Sequence, residues 1–248
     1  MELRDFHVHT TYSDGKNTPE EMVLAAIEKK MTVIGFSDHS YTDFDTSFCI
    51  PKEKLADYRV EIAALRKKYR DRITVLCGIE QDYFSKEPTG GYDYVIGSVH
   101  YIKIADEYVV VDMNPDVLRR AADKYFDGDM YCIVEEYYKT VANVAKQTGA
   151  TIIGHFDLIA KFNEQEHLFD EDHPRYRAAW QKAVKELLKS GAVFEINTGA
   201  ISRGYRTVAY PSYEIREYIA GRSGSFVLTS DSHRKENLCY NFQIESKV

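Results

Sequence analysis

Seven short β-like runs recur along this chain with helical stretches between them, and that alternation constrains the fold more than any other feature. The runs are Leu3–His9, Thr32–Ser37, Ile73–Glu80, Tyr92–His100, Thr151–His155, Ala192–Asn197 and Ser225–Ser230. The helical stretches are Pro19–Lys30, Lys52–Tyr69, Pro115–Lys124, Tyr131–Thr148, Arg175–Lys189 and Ser212–Ala220. Strands alternating with helices argue for a mostly parallel sheet. Helix boundaries carry local signals. Thr18-Pro19-Glu20-Glu21 sets a capping threonine before a proline at the first helical position, and Gly149 and Gly191 stand where two helices should stop. Ile102–Val111, with Asp106-Glu107 between β-branched runs, reads as a small hairpin inserted after the fourth strand. The polar segment Gln165–Pro174 reads as a surface loop that leaves His167 and His173 solvated. No Gly-, Ser- or Pro-rich linker and no repeat interrupts the pattern, so one domain over residues 1–248 is expected. Seven strands suit an α/β fold of the (β/α)7-barrel type, close to a TIM barrel. An open doubly wound sheet is the competing architecture.

Composition narrows the class. With 44% hydrophobic and 29% charged residues, disordered and fibrous classes are excluded. Apolar runs such as Tyr94-Val95-Ile96-Gly97 fall far short of the ~20 residues of a membrane span. Met1-Glu2-Leu3-Arg4-Asp5-Phe6 has no signal-peptide core. A soluble, cytoplasmic chain without a membrane partner is therefore expected. Its 32 basic and 39 acidic residues leave a net charge of −7, which disfavours non-specific nucleic-acid binding and still permits a small anionic substrate at a local cationic site. Cys49, Cys77, Cys132 and Cys239 show no C-x-x-C spacing and read as free thiols.

The histidines carry the chemistry. Of the 8 in the chain, His7, His9, His39, His100, His155 and His233 fall at the C-terminal ends of β-like runs. Asp14, Asp38, Glu80 and Asp231 occupy comparable places. In a parallel barrel those strand ends converge on one face, where active sites form. A lone strand-end histidine is usually a satisfied structural residue. Six imidazoles gathered with carboxylates would bury unpaired or repelling groups at a cost of several kcal/mol each. Divalent metals remove the conflict, because neutral imidazole and ionised carboxylate are their ordinary ligands. His7 and His9 are two apart on a strand and so share a face; Asp231 and His233 repeat the spacing. Nine candidate ligands, His7, His9, Asp14, His39, Glu80, His100, His155, Asp231 and His233, exceed the three or four of one zinc ion. They suit three ions, with Glu80 bridging.

These segments resemble the polymerase and histidinol phosphatase (PHP) family. The resemblance lies in Phe6-His7-Val8-His9-Thr10 with Ser13-Asp14-Gly15, Phe36-Ser37-Asp38-His39-Ser40, Gly78-Ile79-Glu80, Gly97-Ser98-Val99-His100, Gly154-His155-Phe156-Asp157 and Thr229-Ser230-Asp231-Ser232-His233, which span nearly the whole chain. Length, the hairpin, and Glu195-Ile196-Asn197-Thr198-Gly199 followed by Arg203 are most similar to its free-standing histidinol-phosphate phosphatases. The resemblance implies a distorted (β/α)7 barrel with a trinuclear site of Zn, Mn or Fe. It implies a first metal on His7, His9, Glu80 and Asp231, a second on Glu80, His100 and His155, and a third on Asp14, His39 and His233. Where many members carry a histidine late in the first motif, this chain has Ser13-Asp14-Gly15. Arg203 resembles the family's phosphate-binding arginine.

No G-x-S-x-G elbow, P-loop or cysteine phosphatase loop supplies a covalent nucleophile. The metals are therefore expected to supply one as a bridging hydroxide, with Glu80, His100, Asp231 and His233 as the candidate catalytic residues. Arg203, in a Gly-flanked loop after strand six, and Lys161, after strand five, are the candidate cations for a phosphoryl group. Tyr101 and Tyr205 are candidates to wall a substrate ring. The expected activity is hydrolysis of a small phosphate monoester, L-histidinol phosphate by resemblance, in histidine biosynthesis. A phosphotyrosine or nucleotide phosphatase, a non-catalytic metal-binding module and an amidohydrolase-like enzyme are the alternatives, although no strand end offers the bridging lysine of the last.

Overall fold

The computed structural model describes residues 2–245. Its strands are β1 (Arg4–Asp5), β2 (Val33–Phe36), β3 (Thr74–Asp82), β4 (Tyr94–Ser98), β5 (Tyr101–Ile104), β6 (Glu107–Val110), β7 (Ile152–Ile153), β8 (Val193–Asn197) and β9 (Phe226–Thr229). Its helices are α1 (Pro19–Glu28), α2 (Leu55–Tyr69), α3 (Pro115–Phe126), α4 (Met130–Val141), α5 (Val144–Thr148), α6 (Asn163–Glu166), α7 (Pro174–Leu187), α8 (Gly199–Ser202), α9 (Tyr213–Ala220) and α10 (Phe242–Glu245). Seven strands form one parallel sheet in the order β1-β2-β3-β4-β7-β8-β9. β5 and β6 make the antiparallel hairpin expected after the fourth strand.

The sheet curls nearly shut, which excludes the open doubly wound alternative. Val8 bridges Ser232 in parallel; the His9 N–H donates to the Ser232 carbonyl at 2.9 Å, and the Ser232 N–H to the His7 carbonyl at 3.0 Å. Below that seam the fully buried Asp5 accepts from the backbone N–H groups of Ser230 (3.0 Å) and Cys239 (3.1 Å) and from the Ser230 hydroxyl. The first strand is shorter than Leu3–His9 because side chains take over its ladder beyond Asp5. The Val8 N–H donates to Ser37 Oγ (3.2 Å) and the Thr10 N–H to Asp38 Oδ1 (2.7 Å).

The barrel interior is filled by Tyr94, Ile96 and Ile152, with Phe6, Leu76 and Val227 packed against them. Tyr94 fits because two facing positions lack a side chain: a Cβ on Gly78 would lie 2.3 Å from the Tyr94 ring, and one on Gly35 would lie 2.4 Å from its hydroxyl. That hydroxyl hydrogen-bonds the carbonyls of Phe6 (2.6 Å) and Phe36 (2.9 Å), just before the segments that carry His7 and His39. Two larger apolar clusters lie between the sheet and the helices around it.

Several expected ends move. The Thr18 capping box forms, and α1 stops at Glu28 with Lys30 in the left-handed region (φ 60°). Gly149 and Gly191 cap their helices at φ 71° and 74°. The single helix expected over Tyr131–Thr148 breaks into α4 and α5, where Asn143 Nδ2 bonds the Lys139 carbonyl (2.9 Å) and competes with the helical ladder. The polar segment Gln165–Pro174 is partly helical at α6. His167 is exposed there, as expected of a loop residue. His173 is not free in solvent: its Nδ1 caps α7 by accepting from the Arg175 N–H (3.2 Å), and its ring stacks on Tyr131 at 4.1 Å. All four cysteines are free. Among the described residues, no helix is long and apolar enough to cross a membrane.

Candidate metal centre

Glu80, at the C-terminal end of β3 and 1% exposed, is the hub. Its Oε2 lies 2.8 Å from His39 Nδ1, 3.2 Å from His7 Nε2 and 3.5 Å from His9 Nε2. Its Oε1 lies 2.9 Å from His155 Nε2 and 3.4 Å from His100 Nε2. Asp231 Oδ1 lies 3.3 Å from His9 Nε2 and 3.8 Å from His7 Nε2. Asp14 faces His233 Nε2 at 3.1 Å, His39 Nε2 at 3.7 Å and His9 Nδ1 at 3.8 Å. All nine ligand candidates therefore meet at one mouth of the barrel. Seven of them fall into three groups with ligand-like spacing, His7, His9 and Glu80; His39, Glu80 and His100; and His9, Asp14, His39 and His233, while His155 and Asp231 approach through their contacts to Glu80 and His9.

The donor set suits divalent ions. His7 Nε2 and both ring nitrogens of His9 are buried without a hydrogen-bond partner, a state that costs about 1–3 kcal/mol per group unless something else satisfies it. The protonation equilibria show the same conflict. Burial disfavours the imidazolium at His7, yet Glu195, Glu80 and Asp231 outweigh it and hold the pKa well above the usual histidine range. His39 and His100 are raised in the same way, against burial, chiefly by Glu80. His9 goes the other way, pushed down to about 3 by burial and by His233 and His39. Glu80 is held well below the carboxylate range, because His7, His39 and His100 overcome the effect of burial.

A second layer of residues orients these groups, and inspection of strand ends alone does not find it. Glu195, on β8, accepts from His7 Nδ1 at 2.7 Å. Asp82, two residues past Glu80 on β3, lies 3.3 Å from His100 Nδ1 and accepts the His100 N–H at 3.2 Å. The signal was present in the alternation, since Asp82 shares the face of Glu80. Asp38 lies at a strand end but turns away from the imidazoles. It accepts from Thr10 and Ser13 (Ser13 Oγ at 2.6 Å) and so fixes the turn that presents Asp14.

Arg203 follows α8 and reaches over the same mouth. Its Nη2 pairs with Asp231 Oδ2 at 2.9 Å, and its Nη1 donates to the Asp231 carbonyl at 3.0 Å. Asp231 sits at φ 49°, in the left-handed region that non-glycine residues hold only when the surroundings compel it. Gly199 leaves room for the pair, since a Cβ there would lie 2.8 Å from both Arg203 Nη2 and Asp231 Cβ. A cavity of about 350 Å³ opens above the cluster, lined by Phe48, Tyr101, Asp112, Lys161, Arg203 and Tyr205 among others. Lys161 is tied to Asp112, with Nζ 2.8 Å from its carbonyl and 3.2 Å from Oδ2, and lies over the Tyr205 ring at 4.7 Å. Tyr101, whose hydroxyl donates to Asp45 at 2.6 Å, also lines the cavity, with its ring near that of Phe48.

Comparison with known proteins agrees with this geometry. A PHP-domain family model matches residues 5–199. A Deinococcus radiodurans protein named probable histidinol-phosphatase is 30% identical over 254 residues, covering 97% of this chain and 90% of its own length. The histidinol-phosphatase of Bacillus subtilis is 24% identical, over 98% of both chains. A crystal structure of histidinol phosphate phosphatase from Lactococcus lactis, complexed with zinc, L-histidinol and phosphate, shares the fold at a TM-score of 0.69 and 19% identity, covering 99% of this chain and 93% of that one.

Proposed function

The chain belongs to the PHP-domain family, and from that premise we propose that it is a metal-dependent phosphate-monoester hydrolase whose substrate is L-histidinol phosphate and whose products are L-histidinol and phosphate. The observation that carries the reading is Glu80, a buried carboxylate with five imidazole nitrogens within 3.5 Å. His7, His9, Glu80 and Asp231 would hold one divalent ion, Glu80, His100 and His155 a second, and Asp14, His39 and His233 a third, within a single domain. Bound there, such ions would supply Lewis-acid chemistry, lowering the pKa of water toward ~7 and offsetting phosphate charge.

The chain's own residues supply the rest. Arg203 has N–H groups beyond the two that hold Asp231 and can offer them to phosphoryl oxygens while those bonds keep it at the mouth, and a guanidinium keeps its charge at any working pH. Lys161 offers a second cation lining the cavity, with its ammonium already partly satisfied by Asp112. Phe48, Tyr101 and Tyr205 present ring faces and edges where the flat imidazole of the leaving alcohol fits. That wall is also what separates this reading from a general phosphatase. Complementation tests it. The gene should restore growth without histidine to an auxotroph lacking this phosphatase, and a Glu80→Gln variant should not. Failure of the wild-type chain, expressed and folded, would return the substrate to another small phosphate ester.

A further inference from the structure

We propose that Glu195 is a positioning residue that sets the tautomer and aim of His7 and ties it to the strand end carrying His155, so that one buried carboxylate outside the ligand cluster governs how tightly the centre binds metal. This rests on the metal-dependent reading above. Glu195 is fully buried on β8. Three donors converge on it: His7 Nδ1 on Oε1 at 2.7 Å, and on Oε2 the His155 backbone N–H at 2.9 Å and Asn197 Nδ2 at 3.1 Å.

An ionised carboxylate only accepts hydrogen bonds. The proton of a neutral His7 ring must then sit on Nδ1, which leaves the Nε2 lone pair directed at Glu80 (3.2 Å) and Asp231 (3.8 Å). A lone pair aimed at two carboxylates is repulsive unless a cation lies between them. Glu195 thus holds His7 in the one neutral tautomer that can ligate at Nε2 and makes the ring a stronger donor. Its other oxygen holds the backbone at His155, whose Nε2 lies 2.9 Å from Glu80. Two ligands assigned to different ions share one anchor.

The test is metal affinity, read by titrating the metal-free protein with Co²⁺ and following the visible d–d bands, alongside thermal unfolding of the metal-free forms. A Glu195→Gln side chain offers an NH₂ donor where one oxygen stood; facing His7 Nδ1, it either repels that N–H or draws the ring into the tautomer whose proton blocks Nε2. The expected result is a 10- to 100-fold weaker Kd for Co²⁺ with altered d–d bands. The metal-free variant should melt below the wild type, because the buried His7 contact is weakened, and activity should recover as Co²⁺ is raised. A purely structural role would shift the melting and leave Kd alone. Should Glu195→Gln not fold, Glu195→Asp keeps the charge but is one methylene too short to span both anchors, and it should weaken Kd in the same direction. A Kd within twofold of wild type in whichever variant folds overturns the inference. Wild-type protein that binds no Co²⁺ would instead overturn the metal-dependent reading, so the two failures are distinct.

Discussion

At the residue scale, the site is a balance of imidazoles and carboxylates that the fold makes and only cations complete. Arg203 stands at its edge with one face on Asp231. Arg203→Ala should lower kcat/KM for the phosphate ester by at least ~100-fold, about 2.7 kcal/mol of transition-state stabilisation. Because the guanidinium also holds Asp231 at φ 49°, metal content must be measured on the same sample. Near-wild-type kcat/KM would place the phosphate elsewhere, and a loss that excess metal repairs would assign Arg203 to Asp231 alone. The raised pKa values of His7, His39 and His100 give a second prediction. A histidine whose folded pKa exceeds its unfolded value of ~6.5 binds more protons when folded, so its stabilising contribution is complete below ~6.5 and is lost as pH rises through the folded value. His9, depressed to about 3, has finished titrating in both states above that pH. Metal-free protein should therefore melt at progressively lower temperature from about pH 7 to 9. Flat or rising melting temperatures over that range would contradict the assignment.

At the scale of elements, what matters is how strand ends are brought to one mouth. The alternation of runs, the Thr18 cap and the two helix-ending glycines were legible because each is local and has one physical meaning. The nine ligand candidates were legible because they lie at or just beyond the ends of the expected runs, Asp14 on the turn after the first, and the barrel brings those ends together. The layer behind them was not. Glu195 lies within β8, where a carboxylate gives no sign of which imidazole it will face, and Asp82 ends β3 past the expected run, sharing the face of Glu80 with nothing local to name His100 as its partner. The break at Asn143 depends on a side-chain bond that helix periodicity does not register. The Tyr94 plug was equally hidden, since Gly35, Gly78 and Tyr94 are distant in sequence and meet only inside the barrel. It yields a sharp expectation. Gly78→Ala drives a methyl to 2.3 Å from the Tyr94 ring and should lower stability by about 1–3 kcal/mol, read as a shift in the urea midpoint. An unchanged midpoint would mean that the barrel interior is looser than this packing.

At the scale of the molecule, the barrel concentrates charge that metals are required to balance. Purified after metal-supplemented expression, the protein should carry two or three transition-metal ions per chain. Chelation should abolish activity and lower the melting temperature, and added Zn²⁺, Mn²⁺ or Fe²⁺ should restore both, since ligands that bind only the folded state stabilise it. Less than one ion per chain would contradict the centre. The cavity wall then decides what is hydrolysed. The most direct test of the account is phosphate release by the metal-loaded protein across L-histidinol phosphate, phosphotyrosine and nucleoside monophosphates, compared as kcat/KM. The account predicts L-histidinol phosphate to lead the others by ~100-fold or more, a difference of about 2.7 kcal/mol; a comparable lead for phosphotyrosine or a nucleotide, or no phosphate release from any ester, would contradict it.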